Sequence, residues 1–104
     1  RSFTYIDDVI LNLFKIINKY KNIKVCEVFN IGNHNSVFLK NFIKILEKYT
    51  KKKAKKIYIN QQLGDLKITK ANVSREKRIF GHATKTSLET GLRKLVLWYR
   101  NYYK

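Results

Sequence analysis

The sequence predicts an α/β fold made mostly of helices with a few short strands. Three observations carry this prediction. Apolar residues recur at steps of three and four over residues 6–20, 39–49 and 88–103, the spacing of one helix face. Short β-branched or aromatic runs, bounded by turn residues, lie between the helices. Capping residues stand where the helical stretches begin. At 104 residues with no proline and four glycines, the chain reads as one domain or a part of one.

Residues 1–5 read as a short strand with Phe3 and Tyr5 on one face. Asp7 or Asp8 opens a helix, because an early carboxylate accepts free backbone N–H groups there. Ile6, Val9, Ile10, Leu13, Phe14, Ile17 and Tyr20 form its apolar stripe. After a polar turn at 21–24, residues 25–31 are a mostly apolar run of strand length, as expected of a strand covered on both faces of a parallel sheet. Cys26 in that run reads as a small buried hydrophobe. The turn cluster Gly32-Asn33-His34-Asn35 follows, with Ser36 as N-cap of a helix striped by Leu39, Phe42, Ile43, Leu46 and Tyr49. Lys51, Lys52 and Lys53 close it, their charge complementing the helix C-terminus. Residues 56–60 read as a further strand leading into the loop Gln61–Leu66, and residues 68–73 as an ambiguous extended piece. Ser74 caps a brief helix ending at Phe80, with Gly81 at C′. Thr86-x-x-Glu89 is a capping box for the last helix, whose stripe is Leu88, Leu92, Leu95, Val96, Tyr99 and Tyr103.

The formal net charge of +16 raises a nucleic-acid or anionic-membrane reading. Yet 18 of the 23 basic residues are lysine, the poorer residue for bidentate phosphate or guanine recognition. The composition, rich in Lys, Asn, Ile, Phe and Tyr, is that of an A/T-rich genome. A solvated lysine surface is the simpler reading. No apolar run approaches the roughly 20 residues needed to span a bilayer, no signal-peptide pattern appears, and one cysteine precludes an internal disulfide framework. A cytoplasmic setting is expected.

Self-sufficient chemistry is not visible. His34 and His82 sit in polar turns, the Asp7-Asp8 pair suits helix capping better than a metal, and no His/Cys cluster has metal spacing. Gly32 follows a strand and precedes a helix, but the run is not G-x-G-x-x-G.

Several stretches nonetheless occur in a telling order: Arg1-Ser2-Phe3-Thr4-Tyr5-Ile6-Asp7-Asp8-Val9, Phe29-Asn30-Ile31-Gly32-Asn33, Gln62-Leu63-Gly64-Asp65, Ala71-Asn72-Val73-Ser74, Thr86-Ser87-Leu88-Glu89 with Gly91-Leu92, and Trp98-Tyr99-Arg100-Asn101-Tyr102-Tyr103. Over essentially the whole chain they resemble the C-terminal part of extended short-chain dehydrogenase/reductase nucleotide-sugar epimerases, above all the UDP-glucuronate 4-epimerase and capsular-polysaccharide epimerase group. The resemblance implies the substrate-binding part of an extended Rossmann-type epimerase over residues 1–104. The parent enzyme would hold NAD in a Rossmann domain and act through a 4-keto sugar.

By motif position, Arg1 matches an arginine that contacts the substrate diphosphate. Gln62 precedes the Gly-Asp pair facing the nucleotide, and Asp65 matches the acid that holds the ribose. Ser2, Leu63 and Thr84 depart from the family, which commonly has Asp, Pro and Pro there. The resemblance places the Gly-rich loop and the catalytic Tyr-x-x-x-Lys pair in the amino-terminal domain of the family, so no catalytic and no cofactor-binding residue is expected in this chain, and it is expected to be inactive alone. Expected partners are a UDP-sugar and either a separate N-terminal Rossmann half or a second copy. The alternative is a basic, non-enzymatic module for nucleic acid or a protein.

Overall fold

The computed structural model describes residues 1–21, 26–81 and 84–103. Four helices occupy these residues: α1 Ile6–Tyr20, α2 Leu39–Thr50, α3 Ser74–Phe80 and α4 Leu88–Tyr102. They form two layers of different character, α2 against α4 and α1 against α3.

The α2–α4 layer follows the apolar pattern. Leu92 and Val96 are buried, at 5% and 6% exposure, and Phe42, Ile43, Leu46 and Tyr49 are half-buried beside them. Phe3 stacks on Phe42 at 4.3 Å between ring centroids. Tyr5 lies against Gly91, where an added Cβ would come within 3.2 Å of the ring. The two aromatic residues of the opening segment thus face this layer together, as their alternation predicts. Ionic contacts fasten its far end. Lys48 Nζ and Tyr49 Oη both donate to Glu89 Oε1, at 2.5 and 2.8 Å. Arg100 donates to the carbonyls of Tyr49 and Thr50 at 2.9 and 3.2 Å. It is therefore Arg100, more than the lysine run, that satisfies the last carbonyls of α2. Lys56 pairs instead with Glu47 at 2.9 Å. The ends of the α4 stripe, Leu95, Tyr99 and Tyr103, are exposed.

The α1–α3 layer reverses the expectation. Ile6, Ile10, Leu13, Phe14 and Ile17 are 45–64% exposed, while the buried residues of α1 are Asp8 and Asn12. A helix buries its polar face only where specific bonds hold it. Here Asp8 accepts from the Thr86 backbone N–H and hydroxyl, each at 3.0 Å, and Asn12 Nδ2 donates to the Asp8 carbonyl at 2.8 Å. Asp8 therefore tethers the start of α4 and does not cap its own helix, whose N-cap is Tyr5 with no side-chain bond. Glu76 of α3 is 2% exposed, with one carboxylate oxygen unbonded among the described residues. Burial raises its pKa above the usual carboxylate range, against a smaller opposing effect of Lys15.

The short strands do not form. Among the described residues, pairing is limited to one antiparallel bridge, Ser2 with Ser36; Val25, part of one expected strand, lies outside them. Strands need neighbours for their backbone groups, and residues 26–30 and 56–60 find none here. Cys26 is accordingly exposed, not buried. Two caps also move. Helix α2 starts at Leu39 after Phe38, since the Ser36 hydroxyl donates to the Thr69 carbonyl instead. Helix α4 is capped by Ser87, whose hydroxyl accepts from the Thr90 N–H at 3.1 Å, because Thr86 is taken by Asp8. Helix α3 begins at Ser74 as expected, but its N-cap is Val73, and Asn72 Oδ1 accepts from the Ser74 N–H. The expected turn at 21–24 lies largely outside the described residues, as does His82.

The chain is open. Its accessible surface is 8981 Å², against about 6,100 Å² expected for a closed monomer of this mass. Its radius of gyration is 16.9 Å, against about 13 Å.

Candidate substrate-binding site

The candidate site is built on three segments laid side by side without a continuous ladder. The opening segment is anchored where Val37 N–H donates to the Arg1 carbonyl at 2.8 Å. The turn at 32–35 is fixed by the Asn33 N–H donating to the Thr4 hydroxyl at 2.9 Å. Residues 69–73 close the other side, through Ser36 to the Thr69 carbonyl at 2.9 Å and Asn30 Nδ2 to the Asn72 carbonyl at 3.1 Å. Gly32 is needed at their junction. A Cβ there would lie 2.8 Å from the Ala71 methyl, closer than real carbon atoms pack.

Arg75 braces the same layer from α3. It donates to Glu27 at 2.6 Å and to the Val28 carbonyl at 3.3 Å, and its guanidinium lies 4.9 Å from the Phe29 ring centre. Arg75 did not stand out in the sequence, and Thr86 stood out as the head of a capping box, not as a partner of Asp8. Both act through partners 47 or more positions away, a separation that no local pattern reveals.

On this layer the structure brings Arg1 and Asp65 together as an ion pair across 64 positions, with side chains 40% and 50% exposed. Asp65 is presented by a tight turn. Its N–H donates to the Gln62 carbonyl at 3.2 Å, Gln61 Nε2 donates to its carbonyl at 2.7 Å, and Gly64 takes the left-handed φ of 85° that favours glycine. Gln62 contributes its backbone to this turn, and its side chain is exposed. A guanidinium and a carboxylate thus meet on one accessible edge, with Gln62 in the turn that presents the carboxylate. That set can grip a diphosphate bidentately and accept from vicinal hydroxyls.

Gly32, the glycine that follows a strand-like run and precedes a helix, has its free side filled by the Ala71 methyl, so it serves packing. No group of three or more His, Cys, Asp or Glu that could hold a metal occurs among the described residues, and no helix there is long and apolar enough to cross a membrane.

No family model matches the chain. Individual proteins do. UDP-glucuronate 4-epimerase 2 of Arabidopsis thaliana is 36% identical over 115 residues, covering 100% of this chain and 26% of that protein. Protein CapI of Staphylococcus aureus is 31% identical over 119 residues, covering 100% of this chain and 36% of its own length. Among solved structures, a mutant Bacillus cereus UDP-glucuronic acid 4-epimerase, in complex with UDP-4-deoxy-4-fluoro-glucuronic acid and NAD, superposes with a TM-score of 0.83. It is 32% identical, and the match covers 99% of this chain and 32% of that one. The chain therefore spans about a quarter to a third of the length of these relatives.

Proposed function

We propose that this chain, which belongs to the nucleotide-sugar epimerase family through that family's C-terminal part, is the substrate-binding portion of an NAD-dependent UDP-sugar epimerase. The observation that carries the reading is the meeting of Arg1 and Asp65 on one exposed edge, at two motif positions for which the family resemblance implies nucleotide contacts. Arg1 would take the diphosphate, Asp65 the ribose hydroxyls, and Gln62 the neighbouring face of the nucleotide. NAD, where bound, would supply the hydride chemistry of 4-epimerisation. The residues here would supply binding and orientation of the substrate, and the resemblance assigns removal of the sugar proton to the amino-terminal domain. The chain is accordingly inactive alone and works with an N-terminal Rossmann part, in the same polypeptide or as a separate one, in a reducing cytoplasmic setting.

The basic-module alternative gains nothing from the relatives described above, which are UDP-glucuronate 4-epimerases and Protein CapI. The open surface favours a missing neighbour over a closed stand-alone module. Titration of the purified chain with UDP, followed by NMR, tests the proposal, with ADP and duplex DNA as controls. UDP-selective shifts at Arg1, Gln62 and Asp65, lost in Asp65→Ala, are expected. Equal shifts with ADP, or strong salt-sensitive shifts with DNA across the lysines, would overturn it.

A further inference from the structure

Residues 51–68 are exposed throughout. The start of this segment is held to α2, with Ala54 N–H and Lys56 Nζ both donating to Glu47 Oε1. From residue 57 to residue 68, the bonds among the described residues are internal to the loop, with one exception: Asp65 to Arg1. An ion pair between half-exposed side chains is weak and screened by salt. It is nevertheless the bond that fastens this strap, and it consumes the guanidinium assigned to the diphosphate.

From this arrangement we infer that Asp65 is a latch on Arg1. Its carboxylate oxygen Oδ1 holds Arg1 Nη2, a nitrogen that a bidentate grip on an incoming pyrophosphate group would draw on, so anion binding releases the Gln61–Leu66 loop. The inference rests on the reading of Arg1 as the anion ligand and adds a competition to it. A phosphate oxygen seeking Nη2 for a two-point grip competes with Asp65 Oδ1 for that nitrogen. With the nucleotide bound, the freed carboxylate is available to the ribose hydroxyls, and the loop closes over the ligand instead of over Arg1. Binding of the anion and capture of the nucleoside then become sequential uses of one side chain.

Inorganic pyrophosphate separates the latch from nucleoside recognition, because it offers the anion without the ribose. The 104-residue chain is titrated with pyrophosphate at low salt in four forms: unsubstituted, Asp65→Asn, Arg1→Gln and the double variant. Asp7→Asn serves as a control that removes an exposed carboxylate with no contact to Arg1. The latch predicts that Asp65→Asn strengthens pyrophosphate binding by about two- to five-fold, the worth of an exposed ion pair. The gain must vanish in the Arg1→Gln background and be absent in Asp7→Asn. Amide exchange at 63–66 should also rise when pyrophosphate is added to the unsubstituted chain.

Weaker binding in Asp65→Asn would show that the carboxylate positions Arg1, and would overturn the latch. So would a gain that persists without Arg1, or one that Asp7→Asn matches, since either marks a general charge effect. Absence of any Arg1-dependent pyrophosphate binding removes the latch together with the anion role of Arg1. A positive cycle beside a UDP titration with no selectivity would keep the latch and remove the nucleoside reading.

Discussion

The two helical layers of this molecule obey opposite rules. In the α2–α4 layer, Leu92 and Val96 are inside, Ser87 caps α4, and Arg100 bonds the last carbonyls of α2. In the α1–α3 layer, Asp8, Asn12 and Glu76 are inside while a five-residue apolar stripe of α1 faces out. The physics that forms α1 is ordinary amphipathic periodicity. What differs is that its apolar face is left exposed among the described residues. An exposed stripe of this size on a helix marks an interaction surface. Together with the extended segments at 26–30 and 56–60, which form no strand among the described residues, it is apolar surface that this chain leaves uncovered.

The sharpest way to break this contrast is to truncate one apolar side chain in each layer. Leu92→Ala in the closed layer should cost about 2–5 kcal/mol, whereas Phe14→Ala on the open face should change stability by no more than about 0.5 kcal/mol. Denaturant unfolding of the two variants measures both. Similar costs would mean that the α1 stripe is packed.

A smaller effect probes the reversed layer directly. Glu76 is buried with an unbonded carboxylate oxygen, and burial raises its folded pKa. An acid raised on folding contributes stability that is complete below the ordinary carboxylate range and is lost as pH rises through the folded value. Glu76→Gln should therefore stabilise the chain at neutral pH by about 1–3 kcal/mol and have little effect in acid. Urea midpoints taken across that pH range would show the difference shrinking as pH falls. A difference that grows instead would place a cation against Glu76.

The mildest test belongs to the closed layer. Ser87→Ala removes the cap bond to the Thr90 N–H and should cost about 1 kcal/mol. An alanine at Ser36, expected as a cap and found bonded to Thr69, should leave the helicity of α2 unchanged by circular dichroism.

Much of this was legible in the sequence. The four helices, the meeting of the Phe3–Tyr5 face with the following layer, and the loop carrying Gln62 and Asp65 all follow from local spacing. What escaped was decided by distant partners. Thr86 heads a regular capping box, yet Asp8, 78 positions away, takes its hydroxyl and passes the cap to Ser87. The apolar runs around Cys26 and Ile57–Ile59 have strand composition, but composition cannot supply the adjoining strands. The α1 stripe reads as a buried face, yet Ile6, Ile10, Leu13, Phe14 and Ile17 are exposed and the buried residues of that helix are Asp8 and Asn12. The Arg1–Asp65 pair was visible only as two separate motif positions; their direct contact is a product of the fold.

The open α1 face is the central claim, and the fluorescence of a hydrophobic dye tests it most directly. The purified chain should bind the dye, and the double variant Phe14→Glu, Ile17→Glu should lose most of that signal while keeping its helicity. A monodisperse monomer that leaves the dye dark, or a double variant that binds it equally well, would contradict the account.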